Sequence, residues 1–262
     1  MRIAVAATAP LGADVLRGLA ESHEIAFLLT RPDAPSGRGR RLTPPPAKEA
    51  AEELGIPVYQ PERPELPVPL DVSTVVVCAY GLYIPPALLE QALWLNVHPS
   101  LLPRWRGAAP VERAILAGDS RSGVTIHRTV EALDAGPVAA VEAFDIDGLD
   151  AGEVYERAAA AAVRLLARVL ADGPTFVPQD EDGAVYAEKI VAADRELDLA
   201  DPGGALRRIR ALSPHIGAWT TLHGRRVTIW RARLEAGRLV PELVQPEGGR
   251  RMTYDELLRG LR

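Results

Sequence analysis

Short apolar segments with strand character alternate with amphipathic helical segments along the first part of the chain, and this alternation limits the possible folds most strongly. Arg2 to Ala7, Thr74 to Ala79 and Trp94 to His98 are apolar runs of strand length. The Val-rich run from Thr74 to Ala79 is typical of a strand covered on both faces. Leu11 to Ser22 and Ala47 to Leu54 have helical spacing. Strands that alternate with helices predict right-handed crossovers and a mostly parallel sheet.

The middle of the chain continues this alternation after one long interruption. Arg31 to Pro46 is rich in proline, glycine and arginine, so we predict an irregular loop, which at this length is usually functional or disordered. Further on, the spacing predicts helices at Ala109 to Leu116 and Ala151 to Leu170. It predicts strands at Val124 to Val130 and Val138 to Phe144.

The end of the chain has a different pattern. Ala205 to Leu212 has helical spacing, and two segments with strand character, Ala218 to Leu222 and Val227 to Arg233, lie on either side of a His-Gly turn. We therefore predict an α/β chain in three parts. These are a domain with a Rossmann-like, mostly parallel sheet at residues 1–180, a linker at 181–204, and a small β-rich domain at 205–262.

Composition excludes several classes of protein. Of the 262 residues, 47% are hydrophobic and 25% are charged, which excludes a disordered or collagen-like chain. Cys78 is the single cysteine, so an intrachain disulfide and a zinc site built from cysteines are both excluded. No uncharged run approaches the ~18 residues of a membrane-spanning helix. We expect a cytoplasmic protein that does not associate with membranes.

Charge is unevenly distributed between the body of the chain and its end. Residues 205–262 contain twelve arginines, no lysine and five acidic residues, a net charge of +7. The whole chain carries −5, so the remainder carries −12. A basic tail on an acidic body indicates an anionic macromolecular partner. The alternative is a coding preference for arginine, since the chain has only two lysines.

Asn96 and His98 form the most informative polar pair. They are two positions apart in a predicted strand, so both side chains project from one face. They lie at its carboxyl end, where parallel sheets place their ligand crevice. An amide and an imidazole can stabilise a developing oxyanion, and the imidazole can also transfer a proton. Asp134 is the candidate carboxylate partner, because Gly136 permits a close backbone approach and Pro137 stiffens the turn.

Structural explanations of the same residues stay open. A histidine after a strand, or an aspartate before Ala-Gly-Pro, is often only a turn residue. His127 lies in an alternating segment and is interpreted as structural, and Cys78 as a small buried apolar residue. A dinucleotide site has no support, because the first strand is not followed by G-x-G-x-x-G.

Two segments, NVHPSLLPRWRGAAP and GVTIHRTVEALDAGPV, carry a family resemblance. With them the chain resembles the formyltransferases that use 10-formyltetrahydrofolate. The likeness extends over nearly the whole chain and includes RPDAPSGRGRRLTPPPAKEAA and the linker motif YAEKI. The arginine-rich loop and the segment AWTTLHGRRVTIWRA resemble the branch of the family that acts on tRNA.

The resemblance assigns roles to individual residues. It implies a catalytic trio, a folate-contacting segment directly after the trio's strand, and loop arginines that engage the acceptor end of the tRNA. The trio is Asn96, His98 and Asp134; the folate segment is Ser100, Leu101, Leu102 and Pro103; the arginines are Arg38, Arg40 and Arg41. It implies no metal.

The implied reaction is transfer of a formyl group from 10-formyltetrahydrofolate to the amino group of methionine on initiator tRNA, by a monomeric enzyme of translation initiation. One alternative is an N-formyltransferase for an amino sugar nucleotide or another small amine, and another is a catalytically idle RNA-binding relative. The chain after Leu234 is shorter than the family pattern. We therefore expect an incomplete oligonucleotide-binding-type barrel, with two or three antiparallel strands packed on a helix at Thr253 to Leu261.

Overall fold

A computed structural model describes residues 1–36, 41–62 and 71–260. Its helices are α1 (Pro10–Ala20), α2 (Pro46–Glu53), α3 (Pro86–Leu89), α4 (Pro110–Ala117), α5 (Ala151–Asp172), α6 (Pro202–Leu212) and α7 (Tyr254–Arg259). Its strands are β1 (Arg2–Ala7), β2 (Glu24–Leu29), β3 (Ala34–Ser36), β4 (Arg41–Thr43), β5 (Val58–Tyr59), β6 (Thr74–Cys78), β7 (Leu93–His98), β8 (Arg106–Gly107), β9 (Arg121–Arg128), β10 (Val138–Asp145), β11 (Tyr186–Ala187), β12 (Ala218–Leu222), β13 (Arg225–Glu235), β14 (Arg238–Pro246) and β15 (Met252–Thr253). Short 3-10 helices span Glu181–Gly183 and Ala192–Arg195.

A seven-stranded sheet in the order β10-β9-β7-β6-β1-β2-β5 forms the framework of the fold. The pairs β1–β2, β1–β6, β2–β5 and β6–β7 are parallel, whereas β9 runs antiparallel to β7. The predicted α/β class and the mostly parallel sheet are therefore confirmed. The β7 strand lies inside the sheet, so its last residues are held by neighbours on both sides.

The Val-rich strand β6 is fully buried, as its composition predicts. It contributes to an apolar cluster with side chains from β1, β2 and β7, among them Phe27, Val75 and Trp94. The Trp94 indole N–H donates to the carbonyl of Leu88 at 2.9 Å, so even this large ring leaves no unpaired donor.

The chain divides into two compact units, and each unit is assembled from three separate stretches of the sequence. The first contains residues 1–106, 123–143 and 156–185; the second contains 107–122, 144–155 and 186–262. The domain boundaries predicted from the sequence, 1–180, 181–204 and 205–262, stay a prediction. No helix in the described part of the chain is both long enough and apolar enough to cross a membrane.

The second unit contains an antiparallel sheet in the order β12-β13-β14-β15. The sequence predicts two or three strands; the fourth, β15, has two residues. The long hairpin β13–β14 turns at Ala236 and Gly237, whose φ angles are +48° and +74°. Over the described residues the sheet does not close, because β12 and β15 lie at its two edges. The sheet is thus an incomplete barrel, as expected, but it has four strands where the sequence analysis predicts two or three.

The expectation that Arg31 to Pro46 is irregular is partly wrong. β3 and β4 pair antiparallel, with Ala34 opposite Thr43. Near the base of this hairpin the Lys48 ammonium contacts both carboxylate oxygens of Asp33 at 2.9 Å. A short local pairing of this kind gives little sequence signal, because proline and glycine dominate the segment.

Candidate active site

Asn96 and His127 face each other across the antiparallel pair β7–β9, where they are register partners. The Asn96 amide nitrogen lies 2.9 Å from Nε2 of His127 and 3.2 Å from Oδ1 of Asp134. The other His127 nitrogen, Nδ1, lies 3.0 Å from the carbonyl of Arg128. A carbonyl only accepts, so Nδ1 carries the proton and Nε2 accepts from Asn96. Three polar side chains therefore meet at the end of β7.

His98 has one nitrogen fixed and one directed at a carboxylate. Its Nε2 donates to the backbone carbonyl of Trp105 at 2.7 Å. Its Nδ1 lies 3.6 Å from Oδ2 of Asp134. The His98 side chain is 5% exposed and the Asp134 side chain 11%, so bulk water barely screens the pair. In the neutral imidazole, Nδ1 holds a lone pair that faces the carboxylate.

Burial lowers the pKa of His98 below its ordinary value. The charge of Asp134 and the hydrogen bond to the Trp105 carbonyl oppose this effect, and His127 adds to it. The net direction is downward because desolvation disfavours the imidazolium. His98 is therefore neutral near pH 7 and able to accept a proton at Nδ1.

The backbone around the site is strained at two side-chain-bearing residues. Trp105 has φ of +66° and Asp134 has φ of +50°. Aspartate adopts this region more readily than most residues, whereas tryptophan rarely does. A Cβ on Gly136 would lie 1.7 Å from the carbonyl oxygen of Arg128, so only glycine fits there. The loop at residues 134–136 is thus pressed against the end of β9, as the sequence predicts from Gly136.

Two family models match the chain. One, described as formyl transferase, matches residues 1–170, and the other, described as formyl transferase, C-terminal domain, matches residues 189–239.

The chain belongs to the formyl transferase family.

Curated relatives support this assignment over the full length. A methionyl-tRNA formyltransferase of Rhizorhabdus wittichii is 40% identical over 293 residues, which covers 99% of this chain and 95% of the relative. One of Paracoccus denitrificans is 38% identical and is covered to 98%. Both alignments exceed the 262 residues of this chain, so both relatives contain residues that this formyl transferase lacks.

Solved structures share the fold at lower identity. The methionyl-tRNA formyltransferase from Clostridium thermocellum is 16% identical, with a TM-score of 0.66, covering 94% of this chain and 98% of that one. WlaRD, a sugar 3N-formyl transferase, is also 16% identical with a TM-score of 0.66, covering 90% of this chain and 87% of that one. At these identities the likeness concerns the fold alone.

The segment expected to contact folate, Ser100, Leu101, Leu102 and Pro103, forms the turn directly after β7. The Ser100 hydroxyl is fully buried and donates to the carbonyl of Arg104 at 2.7 Å. Leu101, Leu102 and Pro103 are partly exposed. The leucines and proline therefore present the accessible surface of this turn, while the serine holds its shape.

The three arginines expected to bind the acceptor are described only in part. Arg41 is exposed at the start of β4. Arg38 and Arg40 lie outside the described residues. Among the residues that are described, no group of three or more His, Cys, Asp or Glu side chains is placed to hold a metal ion.

The interpretation of His127 as purely structural missed its place beside Asn96. The ring is 2% exposed and bonds the amide directly. In the sequence, a histidine within a buried strand is only a weak signal of a functional role. Its partner depends on the β7–β9 register, which the sequence does not give. The carbonyl of Trp105 was also missed, because a backbone acceptor leaves no trace in the sequence.

The side chains at the end of β7 can stabilise a negative charge and transfer a proton at the same place. An amide and an imidazole converge on a carboxylate in a nearly dry site, with the imidazole neutral and its Nδ1 facing the carboxylate. Preorganised donors and a neutral imidazole that can accept a proton suit acyl-type transfer to an amine.

Proposed function

We propose that the chain transfers a formyl group from 10-formyltetrahydrofolate to the α-amino group of methionine esterified to initiator tRNA, at the site built by Asn96, His98 and Asp134. The observation that carries the proposal is the buried pair of His98 Nδ1 and Asp134 Oδ2, 3.6 Å apart beside the Asn96 amide. The relatives named methionyl-tRNA formyltransferase, at about 40% identity over nearly the full length, support this acceptor.

The reaction begins with attack of the neutral amine on the formyl carbon. A carbon–nitrogen bond forms and the formyl oxygen becomes an oxyanion. The attacking nitrogen becomes positively charged and must lose a proton before the intermediate collapses. The bond from carbon to N10 of the folate then breaks, and N10 takes a proton as it leaves.

His98 and Asp134 carry that proton. Neutral His98 accepts it at Nδ1, the nitrogen that is not bonded to Trp105. The resulting imidazolium is stabilised by the Asp134 carboxylate and can donate to the oxyanion. Returning the proton to N10 restores the neutral imidazole, so the enzyme ends in its starting state.

Asn96 supplies the second donor to the oxyanion. In the absence of substrate its amide N–H groups point to His127 and to Asp134. The longer bond, 3.2 Å to Asp134, is the one that gives way to the oxyanion, while the 2.9 Å contact with His127 keeps the amide in place. A well-aimed donor of this kind contributes roughly 3 kcal/mol to the transition state.

The two substrates use different surfaces in this proposal. Leu101, Leu102 and Pro103 hold the folate beside β7. Arg38, Arg40 and Arg41 neutralise phosphates at the acceptor end of the tRNA, as a cluster of arginines near glycines can. The proposed location is the cytoplasm, where translation begins.

A direct assay tests the proposal. Purified protein is given 10-formyltetrahydrofolate and methionine-charged initiator tRNA, and in parallel a panel of amino sugar nucleotides with the same donor. We expect formyl-methionyl-tRNA as the product, no turnover of the sugars, and loss of the reaction in Asn96→Ala protein. Formylation of a sugar alone would replace the proposed acceptor. Binding of tRNA without any transfer would indicate an idle relative.

A further inference from the structure

We propose that Arg106 and Gln179 act as positioning residues that set the distance between His98 and Asp134; this rests on the proposed function. Gln179 donates to the backbone carbonyls of Asp134 and Gly136, in the loop that carries the carboxylate. Arg106 orients the Gln179 amide and directly follows Trp105, whose carbonyl accepts from His98. We call the pair the Arg106–Gln179 brace.

Backbone pairing places Gln179 beside the Asp134 loop. Val138 and Val177 form an antiparallel bridge with two hydrogen bonds, 2.7 and 2.8 Å long. Counting outward from this bridge, Gln179 lies opposite Gly136. Its side-chain amide donates to the carbonyls of both Asp134 and Gly136, at 2.8 and 2.7 Å. Both amide donors of Gln179 are therefore spent on the loop that carries the carboxylate.

Arg106 holds the other end of the same amide. Its Nε and Nη2 atoms donate to Oε1 of Gln179 at 3.0 and 2.8 Å, which fixes the direction of the amide. The guanidinium also forms a two-bond pair with Glu181, at 2.9 and 2.8 Å. Arg106 is 1% exposed, whereas the Glu181 side chain is 70% exposed. A fully buried guanidinium with at least four bonds cannot rotate without losing several of them.

The brace reaches both halves of the catalytic pair. Trp105, whose carbonyl accepts the Nε2 proton of His98, directly precedes Arg106. Asp134, whose carbonyl accepts from Gln179, carries the carboxylate that faces Nδ1 of His98. The covalent link between Trp105 and Arg106, followed by the hydrogen bonds from Arg106 to Gln179 and from Gln179 to Asp134, thus joins the acceptor of His98 to the loop of Asp134. Both of these residues have positive φ, so each needs outside bonds to stay in place.

The brace explains how the distance between His98 Nδ1 and Asp134 Oδ2 is kept within the narrow range that proton transfer needs. At 3.6 Å the carboxylate is close enough to stabilise an imidazolium, and a shift of about 1 Å at a reacting group can cost 100-fold in rate. Without the donors of Gln179, the Asp134 loop loses two hydrogen bonds, so it can relax toward negative φ and carry the carboxylate away from His98.

Three variants test the brace. Gln179→Met keeps the length of the side chain and removes both donors and the acceptor without changing charge. Gln179→Glu keeps an acceptor for Arg106 but offers no donor to the two carbonyls. Gln91→Met is the matched control, since Gln91 is exposed and its amide donates only to Ala87 on the surface, among the bonds found for it.

Kinetics give the first readout. We expect both Gln179 variants to lower kcat by roughly 10- to 100-fold, with KM for folate and for tRNA within about threefold, because the effect acts through catalytic geometry. Gln91→Met should match the wild type. Wild-type kcat in both Gln179 variants would overturn the proposal. If Gln179→Met does not fold, Gln179→Glu, which retains the partner of Arg106, decides alone.

Titration of His98 by NMR gives the second readout and needs no substrate. The resonance is assigned by its loss in His98→Ala protein. The titratable side chains that face His98 are Asp134 and His127, and Gln179→Met changes neither. We expect a lower pKa of His98 in Gln179→Met protein, since the carboxylate that raises it moves away. An unchanged pKa would overturn the brace even if the wild type formylates tRNA. If the wild type formylates nothing, the proposed function fails while the titration still tests the brace.

Discussion

The end of β7 and the antiparallel sheet of β12 to β15 both contain charged and polar side chains, but they hold them in opposite ways. At β7 the side chains are buried, and each has a partner at a fixed distance. In the sheet, Arg231 and Arg233 reach Glu242 at 3.0 and 3.2 Å while 71% and 52% exposed. The buried groups are held in a geometry suited to catalysis, whereas the exposed arginines can exchange one anionic partner for another.

The difference follows from solvent. Exposed ion pairs contribute about 0–1 kcal/mol each, so an arginine there can leave a carboxylate for a phosphate at little cost. Arg210 is unlike these two, because it donates to the carbonyls of Leu149 and Ile146 and is committed to the fold. A buried group has no such freedom, and its loss leaves its partner unpaired. Substitutions at the two regions should therefore differ in kind as well as in size.

The largest effect is expected at His98. His98→Ala removes the base and one oxyanion donor, so kcat should fall by roughly 100-fold or more. It also removes the hydrogen bond to the Trp105 carbonyl, which should lower the free energy of unfolding by about 1 kcal/mol. Single-turnover formylation below the melting temperature measures the first effect, and urea unfolding the second. His23→Ala, at a histidine outside the site, is the control and should keep wild-type kcat.

Asp134→Asn should change the pH dependence as well as the rate. The carboxylate raises the pKa of His98 against the effect of burial, so its removal lowers that pKa further. The base form of His98 is the active one, and activity is lost as pH falls through its pKa. The acidic limb of kcat should therefore move to lower pH, with a maximum about 10- to 100-fold lower. If the acidic limb stays at the same pH, the Asp134 carboxylate does not act on the pKa of His98, which would contradict the expectation.

Gly136→Ala tests the close packing of the Asp134 loop. The new Cβ would collide with the Arg128 carbonyl, so the loop must shift, with a loss of about 1–3 kcal/mol in unfolding free energy. We expect kcat to fall about tenfold because Asp134 moves with the loop. Gly203→Ala is the control: its Cβ meets nothing closer than 3.7 Å, and it should stabilise α6 by roughly 0.5–1 kcal/mol. Equal kcat in the two variants would contradict the expectation.

The smallest effects are expected at exposed arginines, and they sharpen the comparison. Arg41→Gln should raise KM for tRNA several-fold and reduce its salt dependence by about one phosphate contact, with the folate KM unchanged. Arg233→Gln should change KM for tRNA less than twofold, since exchanging Glu235 and Glu242 for a phosphate replaces one exposed ion pair with another of about the same strength. Steady-state assays over a range of salt concentrations measure both. If Arg41→Gln raises the KM for tRNA and the KM for folate equally, Arg41 has a structural role and does not bind tRNA specifically.

Local patterns were sufficient for most of the elements. The runs at Arg2 to Ala7 and Ala218 to Leu222 have the same bounds in the structure as in the sequence analysis. The strand β14, Arg238–Pro246, was not predicted because its turn is Ala-Gly, and an alanine with positive φ is a weak hairpin signal. The helix predicted over Ala205 to Leu212 begins three residues earlier, at Pro202.

By itself the sequence determined the alternation that makes a parallel sheet, the pairing of Asn96 with His98 on one face, and the need for glycine at position 136. These follow from the two-residue period of a strand and from the missing Cβ, which act within a few residues. Only the tertiary structure decided that His127 faces Asn96 and that Gln179 and Arg106 hold the Asp134 loop. Those contacts join residues 31 to 73 positions apart, and such partners are set by sheet register and burial, which no local pattern encodes.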